Sequence, residues 1–126
     1  MNTRLTEFQR LRTGDSASIS RRYSNEELAA WARISHAPAP EGRVPEPLIA
    51  ALFSYLLGEE LPGHGTNYLK QEMRFTDHGR VDEELTATVT ITRLRPDKAL
   101  VNLVSRCTGE DGRIICDGES LVLFKR

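Results

Sequence analysis

VPEPLIAALFSYLLGEELPGHGTNYL, from Val44 to Leu69, is the stretch whose reading decides the fold. Leu48, Ile49, Leu52, Tyr55 and Leu56 recur at three- and four-residue intervals, the spacing of a helix. Ala50, Ala51, Phe53 and Leu57 make the other faces apolar as well, and only Ser54 and the Tyr55 hydroxyl offer a polar side-chain group between Leu48 and Leu57. A helix apolar nearly all round is expected to be surrounded by protein. At about a dozen residues it is too short to span a bilayer. Pro47 suits a first helical turn, Gly58 marks the expected C-terminal end, and Pro62-Gly63 bars continuation. The chain beyond Gly65 is strand-like, so the expected class is α+β, with a curved sheet wrapped around one buried central helix.

Upstream, Ser24-Asn25-Glu26-Glu27 is a capping box, and Leu28, Trp31, Ala32 and Ser35 form the expected inner face of the helix it starts. Ser16 to Arg22 alternates as a strand would, and Pro38, Pro40 and Pro45 with Gly42 predict an irregular loop from Ala37 to Pro45. Downstream the period changes to two. Leu69, Gln71, Met73 and Phe75 alternate with charged residues, and Leu85, Ala87, Val89 and Ile91 alternate with threonines. Arg95 to Lys98 predicts a turn before a hairpin of Ala99–Thr108 with Arg113–Phe124. The expected order is strand, helix, buried helix, then four antiparallel strands in a meander. Asp111-Gly112 is a two-residue hairpin signal, which sets Cys107 opposite Cys116.

Length and composition predict one domain over residues 1–126. A net charge of −1 gives no general attraction to nucleic acid or to an anionic membrane. The amino terminus lacks an apolar secretory core and no stretch is long enough to cross a membrane, so the cytoplasm is the expected compartment. Two cysteines are read as small core-lining thiols, with a redox pair as the alternative. His64 and His78 sit in turn sequences, the histidines are too scattered for a metal site by spacing, and there is no Cys-x-x-Cys. Neither a Gly-x-Ser-x-Gly elbow nor a phosphate-binding loop occurs, which argues against serine hydrolases and nucleotide hydrolysis.

The order of elements, LFSYLLGEELPGHGTNYL and ELTATVTITRLRPDK followed by a hairpin together resemble the hot-dog fold of the MaoC-like acyl-thioester dehydratases, (R)-specific enoyl-CoA hydratases above all. The resemblance covers Thr13 to Phe124. It implies a homodimer whose sheets join edge to edge, acyl-CoA or acyl-carrier-protein substrates bound between subunits, and no metal or organic cofactor. It also implies syn addition of water to a trans-2-enoyl thioester, or its reversal. In such enzymes an aspartate and a histidine five residues apart activate water, and a backbone N–H at the start of the central helix polarises the thioester oxygen.

This chain departs from that pattern. Aligned without a gap, the aspartate position holds Ala37, the histidine position Gly42, and Pro45-Glu46 stands where the family has His-Gly. Ser54 matches a serine lining the family's site and is expected to bind substrate. One deleted residue brings His36 and Glu41 onto the two catalytic positions with the spacing kept, an exchanged acid/base pair; Glu46 is then a second carboxylate at the substrate. A second reading keeps acyl-thioester binding without hydration, as a non-catalytic partner subunit or a thioesterase using Glu46 or Glu41. A third makes His36 a helix-terminal residue, Glu41 solvated, and Glu46 a first-turn acid favoured by the helix dipole. The shortened loop is expected to leave the acyl pocket open.

Overall fold

The computed structural model describes residues 4–38 and 41–126. The element order is α1 (Glu7–Arg10), β1 (Ser16–Arg21), α2 (Asn25–Ser35), α3 (Glu46–Tyr55), β2 (Thr66–Phe75), β3 (Leu85–Arg95), β4 (Leu100–Thr108) and β5 (Ile114–Phe124). Five antiparallel strands form one sheet in the order β1-β3-β4-β5-β2. The central helix lies against it.

Alternation builds the contact between the two. Leu85, Ala87, Val89 and Ile91 are buried on β3, and Val101, Leu103 and Cys107 on β4. They meet Ile49, Leu52, Phe53, Leu56 and Leu57 of the central helix and the turn after it. The threonines between the β3 core residues face the other way, where Ser18 and Ser20 of β1 pair with Thr88 and Thr86 at 2.8 and 2.9 Å.

The meander is corrected. Only β3, β4 and β5 follow one another; β2 crosses to the far side of the sheet and pairs with β5. Pattern alone does not say which neighbour a strand takes, and here the helix-to-strand turn delivers β2 to the far edge. Leu69 is also not on the inner face. A bulge between Tyr68 and Lys70 leaves it unpaired and exposed, after which Gln71, Met73 and Phe75 alternate as expected.

The all-round burial of the central helix is corrected too. Glu46, Pro47, Ala51, Ser54 and Tyr55 form an open stripe along it. Nor does the helix end at Gly58. Leu56–Glu60 continues as a π turn, with the Leu61 N–H donating to the Leu56 carbonyl at 2.7 Å.

The capping box at Ser24 forms as read: the Glu27 N–H donates to Ser24 Oγ at 3.2 Å, and the Ser24 N–H to the Glu27 carboxylate at 3.0 Å. Those bonds hold the Glu27 carboxyl below its ordinary range. Leu28 is buried, Trp31 and Ala32 are half-buried, and Ser35 is exposed rather than inward. Part of the loop predicted before α3, at 39–40, lies outside the described residues.

On the last hairpin the predicted register holds: Cys107 faces Cys116. The turn is one residue longer than a two-residue loop. Gly112 takes a left-handed φ of 81°, the Gly109 N–H donates to the Arg113 carbonyl, and a bulge before Thr108/Ile114 absorbs the extra residue. Both thiols are buried and free, the core-lining reading.

Candidate active site

The first turn of α3 is short of backbone donors, and that sets its chemistry. Pro45 caps it and Pro47 lies in its first turn, and neither has an N–H. The Leu48 N–H donates to the Pro45 carbonyl at 3.0 Å. Among the described residues nothing accepts from the Glu46 N–H, which lies at the positive end of the helix dipole. From there the open stripe runs past Pro47 and Ala51 to Ser54, about 12 Å at the helical rise.

Two contacts fix the helix start. Buried Tyr23 donates its hydroxyl to the Leu48 carbonyl at 3.3 Å, and burial pushes that phenol above its ordinary pKa. Just before the helix, residues 42–44 lie antiparallel to residues 79–81. The Val44 N–H donates to the Gly79 carbonyl at 2.8 Å and the Val81 N–H to the Gly42 carbonyl at 3.0 Å, flanking the bridged pair Arg43 and Arg80. Gly79 suits the crossing because a Cβ there would stand 2.9 Å from a Leu85 methyl and 3.6 Å from one of Ile49.

His36 closes α2 in the left-handed conformation, φ 58° and ψ 25°, with its side chain exposed. Histidine is among the few non-glycine residues that adopt this region readily. Glu41 is exposed in the turn before Gly42, and Glu46 is exposed in the first turn of α3. No hydrogen bond or ion pair joins His36 to Glu41. The only imidazole–carboxylate contact among the described residues is His64 with Glu59, 2.8 Å apart in the turn beyond α3. Ser54, exposed on the stripe, lies 3.2 Å from the Tyr68 hydroxyl of β2. Tyr68 is not singled out by the sequence, although it stands in the LPGHGTNYL segment that carries the resemblance.

The thiols are not candidate nucleophiles. Burial, with the facing Cys116 second, pushes Cys107 up to about 12, and burial pushes Cys116 up to about 11. No cluster of three or more histidine, cysteine, aspartate or glutamate side chains among the described residues is placed to hold a metal ion. Two hollows among the described residues lie away from the stripe. One, of about 860 Å³, is on the outer face of the sheet around Thr88 and Arg106; the other, of about 410 Å³, lies between Phe8 and Leu94.

A five-stranded antiparallel sheet in this order, laid over one apolar helix, is the hot-dog fold. No model of a known protein family matches the chain. It is 36% identical over 128 residues to the (R)-specific enoyl-CoA hydratase of Aeromonas caviae, covering 90% of this chain and 96% of that one. It is 30% identical over 130 residues to the (R)-specific enoyl-CoA hydratase of Rhodospirillum rubrum, covering 92% and 90%. The solved structure of the (R)-hydratase from A. caviae superposes with a TM-score of 0.87 at 34% identity, over 93% of this chain and 99% of the other. The chain belongs to the (R)-specific enoyl-CoA hydratase family.

Proposed function

We propose that this protein adds water to trans-2-enoyl thioesters, acyl-CoA or acyl-carrier-protein, to give (R)-3-hydroxyacyl thioesters, and catalyses the reverse dehydration. The observation that carries the reading is the free Glu46 N–H at the head of the open stripe, in a chain of this family. The thioester carbonyl oxygen accepts from that amide, and the helix dipole stabilises the negative charge that grows on the oxygen as water adds to C3. His36 and Glu41 hold and deprotonate the water and return a proton to C2, so one C–O and one C–H bond form as the C=C bond is lost. Glu41 stands in the turn a few residues before α3, and His36 at the end of α2, the two ends of the loop that carries the pair. Ser54 binds the acyl part of the substrate along the stripe, held by Tyr68.

The working unit is a homodimer. β2 is an edge strand with unpaired backbone groups, and Tyr55, Tyr68 and Leu69 beside it are 43%, 42% and 55% exposed. A second copy added at this edge covers those side chains and walls the stripe from the open side. No organic cofactor or metal enters the reaction. Two free buried thiols suit a reducing compartment, the cytoplasm.

The separateness of His36 and Glu41 favours one competitor, a non-catalytic acyl-thioester-binding or partner subunit; a thioesterase built on Glu46 or Glu41 comes after it. One assay separates the three. Crotonyl-CoA and a medium-chain enoyl-CoA are followed for loss of conjugated absorbance and for free thiol. Absorbance loss without thiol is expected. Thiol release points to the thioesterase, and binding with neither signal to the partner subunit.

A further inference from the structure

Arg113, at the start of the last hairpin strand, makes an unusual number of contacts for a surface-strand arginine, and all but one fall on the β2–β3 loop. Its guanidinium forks onto Glu83, Nη1 to Oε2 at 3.1 Å and Nη2 to Oε1 at 2.9 Å. Nη2 also donates to the His78 carbonyl at 2.7 Å, and Nε lies 3.3 Å from the Asp77 carboxylate. The remaining contact, Nη1 to Asp111 at 2.7 Å, ties the arginine to its own turn. Glu83 in turn accepts from the Arg80 N–H at 3.0 Å and the Glu110 N–H at 3.2 Å. The pair is largely shielded, with side-chain exposures of 18% and 10%.

The anchors bracket the strap. Asp77 and His78 are held on one side and Glu83 on the other; Gly79, Arg80 and Val81, which bond residues 42–44, lie between. Residues 42–45 separate Glu41 from the first turn of α3. We propose that Arg113 is a positioning residue for the hydration site: by pinning both ends of the 77–83 loop it holds the edge against which Gly42 and Val44 are bonded, and so fixes Glu41 relative to the Glu46 N–H. This rests on the hydratase reading above. A planar fork meets the two Glu83 oxygens through two separate nitrogens, Nη1 and Nη2, while Nη2 also reaches the His78 carbonyl; one ammonium nitrogen lacks that geometry. Placement matters because a shift of about 1 Å at a reacting group can cost on the order of a hundredfold in rate.

The test measures exchange and turnover together on Arg113→Ala, Arg113→Lys and a core control, Val89→Ala, whose residue lies in the middle of β3 away from the loop. Site-resolved amide exchange follows the Val44 and Val81 N–H groups against those of β4. In both arginine variants these two amides exchange about tenfold faster or more while β4 stays protected, and kcat falls at least about tenfold with KM within about twofold. Val89→Ala lowers Tm without either effect. The proposal is overturned if Val44 and Val81 stay protected in the arginine variants, if they open with kcat unchanged, or if Val89→Ala produces the same pattern. An inert wild-type protein overturns the hydratase reading before any variant is made, and amide exchange still decides whether Arg113 holds the strap.

Discussion

The Ser54 hydroxyl of the central helix and the Tyr68 hydroxyl of the edge strand lie 3.2 Å apart, joining the open stripe of α3 to the start of β2. Each of these side chains is exposed in the single chain, so the pair contributes little to folding. The use proposed for it is at the substrate. Tyr68→Phe and Ser54→Ala are therefore expected to change stability by no more than about 0.5 kcal/mol. In both, KM for a medium-chain enoyl-CoA rises more than kcat falls, read from initial rates across chain lengths. A drop confined to kcat would place the pair at the reacting atoms instead.

The edge formed by β2, with Tyr55, Tyr68 and Leu69 uncovered, predicts association. Leu69→Asp puts a carboxylate where an apolar side chain is expected to be covered. Sedimentation of the wild-type protein should give the mass of two chains and the variant that of one, with the variant's hydration activity falling in step. A wild-type protein that sediments as one chain removes the second wall of the stripe.

Burial in the sheet keeps Cys107 and Cys116 protonated well above the ordinary thiol range. Burial raises the Cys107 thiol from the ordinary 9.0 to about 12. A raised thiol stabilises the folded state fully below the unfolded pKa, and that stability is lost as pH rises through the folded value. Urea midpoints are expected to fall from about pH 9 upward. The fall should be smaller in Cys107→Ala than in wild type, and neither thiol should react with an alkylating reagent at about pH 8 without denaturant. Fast native labelling would place them outside the core.

Glu83 acts at the acid end. The Arg113 fork holds its carboxyl below the ordinary range, ahead of the opposing effect of burial. A depressed carboxyl stabilises the fold above its unfolded pKa and loses that contribution as pH falls through the folded value. Glu83→Gln is expected to cost about 2 kcal/mol at neutral pH. In denaturant titrations the gap should hold from neutrality down to the ordinary carboxyl value of 4.5 and shrink only below it. A gap independent of pH would mean that the carboxylate charge is not what Arg113 grips.

Much of the fold is legible in the sequence because its signals are local. The threonine alternation of β3, the capping box at Ser24 and the hairpin register that pairs Cys107 with Cys116 each depend on a few neighbouring residues. The crossing of β2 to the far edge is non-local, and nothing in the alternation of Gln71, Met73 and Phe75 encodes it. The apolar helix reads as wholly buried because composition reports what must eventually be covered, not by which chain. Thr6 and Gln9 form a second capping box that starts α1, a pattern as readable as the one at Ser24 but hidden among charges. The site is legible only in part. Ser54 sits in the segment that carries the resemblance, whereas the helix start at Pro45-Glu46 lies before it and departs from the family's pattern. The work of Arg113 and Tyr68 arises from contacts across strands far apart in sequence. His36 and Glu41 belong to a shortened loop whose geometry no motif specifies.

The hydration of crotonyl-CoA tests the central claim most directly, run on wild type, His36→Ala and Glu41→Ala with chiral analysis of the product. The account predicts loss of the enoyl absorbance without free thiol, a product of (R) configuration, and a fall of at least about a hundredfold in kcat for each variant with its dimer intact. Wild-type turnover that survives both substitutions unchanged, or an enoyl thioester that binds and is never hydrated, would contradict it.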